Sequence, residues 1–452
     1  MSWRRIFPLI FLFTCVDGFI SNWLYPARLP LLYRDFLVLG VYLLFIGQEP
    51  VGAWIGQLRE RVGRGPWLLL MSFMLVGLLQ IFNPLLPSLL VGLLGFKVLF
   101  FYWPLALLAY ANVDTLERVR VLFKTIVYFS VLINLFGLYQ FWQGPEFLIT
   151  TFGPGFERAT IIAHIDGFRA DESFLRVIGT FASSGQFSQF LAMNAMLCFA
   201  LFFSSATKRE RLVFSGCVTL TFVAMLATGS RGGLLILVLE AIAFGILHRR
   251  VRRAVVLASL AGTALYFGFQ WLGEDVMARF ESLRDVEMIR HRTLETTYAM
   301  FTDLLQEFSL GQGLGSGSPA SRHILGDDSL EWRLVENDLS KLQLETGIFG
   351  VIFFYLFVMT LSMRWIRKWH KSLDSVTFDF VAPIAAYCLT RFALSFVTGG
   401  FDSPPASVFF WALVGIVARL SAASNASRRV NFGWHQKRVQ PHATRPISTK
   451  PH

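Results

Sequence analysis

Arg231 lies between two long apolar runs, in ATGSRGGLL (Ala227–Leu235). An arginine at such a depth is costly unless it is paired or faces water. Gly229, Gly232 and Gly233 remove bulk around it, so a ligand or another helix can approach the backbone. Free N–H groups at a helix start here would attract an anion. The guanidinium fork also matches phosphate oxygens. The segment therefore reads as a phosphate cradle, with an arginine snorkelling from a tight turn as the plainer alternative. Arg176, in RVIGTF just before another apolar run, is the second candidate for anion binding. Arg158 and Arg169 upstream read as solvated, or as paired with Glu157 or Asp171.

The longest polar interruption, Gly273–Thr346, holds fourteen Asp or Glu and seven Lys or Arg. Within it Val286–Phe308 has helical spacing and carries Arg290, His291 and Arg292 as further cations. GQGLGSGS (Gly311–Ser318) invites a nucleotide-loop reading through Gly311, Gly313 and Gly315. Neither a strand–loop–helix context nor a GK[ST] follows, so a flexible turn that folds the loop back is the expectation. Glu336, Asn337 and Asp338 open ENDLSKLQLETGIFG (Glu336–Gly350), where polar helix runs into apolar helix. Asn and Asp are good helix-start residues. Glu336 sits near the apolar boundary, where partial loss of water would make its carboxylate a better proton acceptor. His323, His291 and Asp338 are the rival bases.

Composition says what scaffold carries these residues. The 452 residues are 54% hydrophobic and 16% charged, with mean hydropathy +0.53. Soluble domains carry about 25% charged residues, so this is a membrane protein. Its 46 Phe and 12 Trp suit lipid-facing helices and interfacial belts. Twelve apolar runs can span a bilayer as helices: 6–24, 31–47, 66–83, 91–111, 121–142, 183–204, 212–228, 234–247, 254–272, 347–364, 376–397 and 406–420. The first contains Asp17, the fourth contains Lys97 and Pro104, and the eighth is short. With the N-terminus in the cytoplasm, 25 of the 41 Lys and Arg fall in seven inner segments. The outer turns 84–90 and 398–405 carry none, and 229–233 carries Arg231 alone.

The expected fold is an all-α polytopic membrane protein of about twelve transmembrane helices, with a large, partly helical periplasmic loop. Residues 1–272 form the first nine helices with an outer loop at 143–182. Residues 273–346 form the large loop, 347–420 the last three helices, and 421–452 a basic, disordered cytoplasmic tail that can lie on anionic headgroups. Met1–Arg5 and the run after it lack a small-residue cleavage site, so the first helix is expected to stay. The net charge of +11 is spread over short clusters between apolar runs, which argues against a nucleic-acid partner. Cys15, Cys198, Cys217 and Cys388 sit in apolar runs without CxxC spacing, supporting neither a disulfide framework nor a zinc site.

Three blocks occur in order on the expected outer side: RVIGTFASSGQFSQFLAMN (Arg176–Asn194), TGSRGGLL (Thr228–Leu235), and GQGLGSGS followed by ENDLSKLQLETGIFG. Together they resemble the O-antigen ligase/polymerase superfamily of bacterial envelope enzymes, over roughly residues 170–365. The resemblance implies glycosyl transfer at the periplasmic face of the inner membrane. The donor would be a glycan on an undecaprenyl diphosphate carrier, with no cofactor, nucleotide sugar or metal. It implies that Arg231 and Arg176, with Arg292 and Arg290, meet the diphosphate. Glu336 stands where the family's ligases place a histidine, since Glu336 to Gly347 keeps the family spacing. That makes Glu336 and Arg231 the implied catalytic pair and shifts the reading toward a polysaccharide polymerase, often partnered by a chain-length regulator. The alternative in the same class is a ligase that moves glycan onto lipid A-core or another acceptor. The alternative of another class is a transporter of lipid-linked sugar or a small anion, which would want mid-bilayer charges and internal repeats. Here the charges read as buried are few, Asp17, Lys97, Lys124 and Arg391, and the informative residues gather on one side.

Overall fold

The computed structural model of the chain describes residues 2–24, 33–113, 115–144, 146–157, 176–248, 251–272, 290, 296–318, 335, 337–372, 375–396, 398–401 and 403–437. In lipid every backbone polar group must be satisfied within its own segment, which a helix does. The described residues are helical accordingly, with no strand among them. In order the helices are α1 (Trp3–Trp23), α2 (Tyr33–Gln48), α3 (Val51–Val62), α4 (Arg64–Gln80), α5 (Leu89–Phe100), α6 (Leu105–Asn112), α7 (Leu116–Gln143) and α8 (Phe147–Phe152). They continue as α9 (Ser184–Ser204), α10 (Lys208–Ala227), α11 (Arg231–His248), α12 (Val251–Leu272), α13 (Thr296–Glu307), α14 (Asp338–Ser372), α15 (Ser375–Leu394) and α16 (Ala406–Lys437).

Eleven of the twelve apolar runs fall on one helix each, and the fourth is divided between α5 and α6. Among the described residues, seven helices are long and apolar enough to cross a membrane, counting α5 and α6 together as Leu89–Asn112. An eighth span results if α2 and α3 are one, although they meet at 103°. Pro50 sits at that elbow, where its missing N–H and fixed φ end a helix. The multi-pass membrane class therefore holds. Two expectations change. The last helix runs on to Lys437, into the stretch read as a disordered tail, and residues 438–452 lie outside the described residues. The helix expected over 286–308 is described as α13, with most of its earlier part outside the described residues.

The centre of the bundle is α9, whose apolar sequence is buried on nearly every face. It packs against α7, α10, α11 and α15. Some of the polar groups that enter this core meet across helices. Asn134 and Asn194 both donate to Thr221 Oγ1, at 3.2 and 2.9 Å. The charges that weakened two expected spans are paired as well. Asp17 of α1 meets Arg34 of α2, and Lys97 of α5 meets Asp35. Arg34 also donates to Tyr102 Oη at 2.9 Å. Lys124 is paired with Glu210 at 2.9 Å between α7 and α10. All four cysteines are buried and free.

Candidate functional site

Three residues turn α10 into α11. Thr228 Oγ1 donates to the Met225 carbonyl at 2.7 Å. Gly229 takes the left-handed conformation, φ 59°, that ends many helices. Ser230 caps α11: its Oγ accepts the Gly233 amide at 3.1 Å, and its own amide donates to Thr228 Oγ1 at 3.2 Å. Arg231 is thus the first helical residue, and it is half-buried. One amide of the helix end expected to face an anion is taken by Ser230. A Cβ on Gly233 would lie 2.7 Å from Ser188 Cβ and Met225 Sδ, so α11 approaches α9 and α10 at backbone range.

Arg176 leads a strap that crosses the top of α1, α7 and α9. Val177, Ile178 and Phe181 are buried in it. Thr180 Oγ1 donates to the Cys15 carbonyl at 2.5 Å, and the Phe19 amide donates to the Thr180 carbonyl at 2.8 Å. The Gly179 amide reaches Gln140 Oε1 at 3.1 Å. Ser183 then caps α9, accepting the Gln186 amide at 3.2 Å. Arg176 thus precedes α9 by the length of the strap, Arg231 starts α11, and the two helices touch through Ser188 and Gly233.

The fold adds a third arginine to this end of the bundle. Arg391, near the end of α15, is 2% exposed and donates through Nη2 to the Gly399 carbonyl at 3.3 Å. Gln189, next to Ser188, donates to the same carbonyl at 3.1 Å. A Cβ on Gly400 would lie 2.0 Å from Arg391 Nη2, so this turn wraps the guanidinium closely. The sequence signal was a lone arginine in an apolar run, and its partners come from tertiary contacts that periodicity does not report.

The same turn is held from α14. Asn337 caps that helix, its Oδ1 accepting the Ser340 amide at 2.8 Å. Asp338 Oδ1 accepts the Gly400 and Phe401 amides at 3.0 and 3.3 Å. The Asp338 and Leu339 amides donate back to the carbonyls of Thr398 and Ser395, at 3.3 and 3.1 Å. Asp338, read from sequence as an alternative base, is thus a buried clamp on the α15–α16 turn. Beneath it a cavity of about 20 Å³ is lined by Trp103, Asp338, Lys341, Glu345, Phe401 and Trp411, room for one water. Lys341 and Glu345 face each other at 3.9 Å.

The glycine string differs from the expected flexible turn. Gly311, Gly313 and Gly315 take φ values of 88, 108 and 85° and are buried. A Cβ on Gly95 of α5 would lie 2.1 Å from the Gly315 amide nitrogen, and one on Gly347 would lie 2.3 Å from Leu310 C. The string is tied by Gln312 N–H to the Leu344 carbonyl (2.6 Å), Asn83 Nδ2 to the Gly311 carbonyl (3.0 Å) and Gly317 N–H to Glu345 Oε1 (3.3 Å). Its glycines serve close packing, which fixes the string between α4, α5 and α14. Of the other candidates, Arg290 is exposed. Glu336, Arg292, His323 and His291 lie outside the described residues.

Residues 216–355 match the family model described as O-antigen ligase. Over this stretch the chain is similar to that family. No curated protein matches it. The matched stretch runs from within α10 to within α14, and so takes in the Arg231 turn, the glycine string and Asp338. Arg176 and Arg391 lie outside it in sequence, and α9 and α15 bring them to the end of the bundle where α11 begins.

Proposed function

We propose that this chain is an inner-membrane glycosyltransferase of about twelve transmembrane helices. It polymerises undecaprenyl-diphosphate-linked glycan repeat units on the periplasmic face. The observation that carries this reading is Arg231, at the start of α11 within the stretch that matches the O-antigen ligase family and beside the helix that Arg176 leads into. In the reaction an acceptor hydroxyl attacks the anomeric carbon of the donor, the bond to the diphosphate oxygen breaks, and undecaprenyl diphosphate leaves. Negative charge grows on the leaving oxygen, where the forks of Arg231 and Arg176 supply fixed cations. Arg290 and Arg292 are further cations for the same diphosphate. The acceptor proton goes to Glu336, which precedes the Asn337 cap in sequence. Glu336 in place of a histidine favours a carrier-linked glycan as acceptor over lipid A-core.

The test uses purified protein with an undecaprenyl-diphosphate-linked oligosaccharide pool, EDTA and no nucleotide sugar. A ladder of carrier-linked multimers supports the polymerase. Transfer only after lipid A-core is added makes it a ligase. No product in either case would turn attention to flux assays and the transporter.

A further inference from the structure

The far end of α4 and α14 holds a cavity that glycosyl transfer does not use. Near the transfer site, Gln80 at the end of α4 donates to the Leu310 carbonyl at 2.5 Å, and Gly347 of α14 packs on the same residue. From there α4 runs back to Arg64, while α14 runs on to Arg364, each about 25 Å at 1.5 Å per residue. That is close to the hydrocarbon thickness of a bilayer, about 30 Å. At this opposite face the elbow between α3 and α4 opens against α14. Gly56, Arg59, Glu60, Gly63, Arg64 and Arg364 line a space of about 700 Å³.

Three arginines here outnumber one acid. Among the described residues, Arg59, Arg64 and Arg364 form no ion pair. Arg364 donates through Nη2 to the Glu60 carbonyl at 3.5 Å, and its buried Nε has no hydrogen-bond partner. A Cβ on Gly63, at φ 99°, would lie 2.4 Å from Arg364 Nη1, so the guanidinium rests directly on the elbow backbone. Gly56 has open space where its Cβ would be, which leaves that wall bare. Arginines that merely mark the cytoplasmic side need not converge. These come from segments three hundred residues apart in sequence and meet in one cavity of ligand size.

We propose that this cavity is a phosphate-binding site on the membrane face opposite the transfer site, filled by the headgroup of an anionic phospholipid. The guanidinium forks supply paired donors for phosphate oxygens. Basic pockets between transmembrane helices suit acidic headgroups. The site is independent of the transfer reaction.

The experiment is native mass spectrometry of the full, delipidated chain in detergent, titrated with palmitoyl-oleoyl phosphatidylglycerol or phosphatidylcholine, with sodium phosphate in a parallel series. Phosphatidylglycerol should bind preferentially. Arg59→Gln and Arg364→Gln should each weaken it about tenfold, the effect of losing one charge-assisted hydrogen bond. Arg209→Gln, at the same end of the bundle but outside the cavity, should leave it unchanged. Displacement by millimolar sodium phosphate, lost in the same two variants, would support the phosphate site but supply it from solution. Equal phosphatidylglycerol binding by wild type and both cavity variants, with no phosphate binding, would overturn the proposal. Arg59 is exposed and its side chain makes no hydrogen bond among the described residues, so Arg59→Gln decides if Arg364→Gln fails to fold.

Discussion

Asp338 separates a structural role from a chemical one, because one side chain can be changed in two informative ways. Its Oδ1 accepts two buried amides, from Gly400 and Phe401. Asp338→Ala removes the acceptor of both amides, and a buried amide left without a partner costs about 1–3 kcal/mol. The loss should therefore be about 2–6 kcal/mol for the pair, before any help from water entering the gap. Asp338→Asn keeps a carbonyl oxygen in place and gives up charge assistance, so its loss should be about 1 kcal/mol. The assay pairs the thermal unfolding midpoint in detergent with transfer on a lipid-linked donor. We expect a large drop in midpoint for alanine, a small one for asparagine, and activity that tracks folding in both. An Ala variant as stable as wild type would refute the clamp. An Asn variant that is fully stable but inactive would hand Asp338 the role of base.

Three further outcomes follow from the same geometry. Glu336→Gln should abolish transfer without moving the unfolding midpoint, whereas a wild-type rate would pass the role to His323 or Asp338. Gly347→Ala places a Cβ 2.3 Å from Leu310 C at φ 67°, which should cost about 2–5 kcal/mol from backbone strain and overpacking; an unchanged midpoint would show that the glycine string is not fixed by α14. Arg391 is buried and donates through Nη2 to the Gly399 carbonyl. Arg391→Met should therefore lower stability by about 1.5–3 kcal/mol, the worth of a hydrogen bond from a charged donor. An unchanged unfolding midpoint would show that the turn does not depend on it.

Much of the scaffold was legible because lipid leaves the chain few choices: the apolar runs became helices, with the fourth broken in two, and the three blocks flanking Arg176, Arg231 and Glu336 lead into helices that start at one end. Charges in the apolar runs were visible but not their partners. Asp17 and Lys97 looked like flaws in two spans until α2 brought Arg34 and Asp35 to them. Arg391 and Gln189 were missed as site neighbours because the Gly399–Gly400 turn joins them through contacts remote in sequence. Glu240 of α11, fully buried, drew no attention inside its apolar run. The glycine string was misread for a related reason. Glycine allows both flexibility and close approach, and the presence of Gly95 and Gly347 against it decides for the second.

The most direct measurement is release of undecaprenyl diphosphate from a lipid-linked oligosaccharide by purified wild type and Arg231→Lys, matched for unfolding midpoint. Lysine keeps the charge and loses the planar fork. The account predicts a fall of at least about tenfold in release, the scale of one lost charge-assisted hydrogen bond. A lysine variant that releases the carrier at the wild-type rate would contradict it.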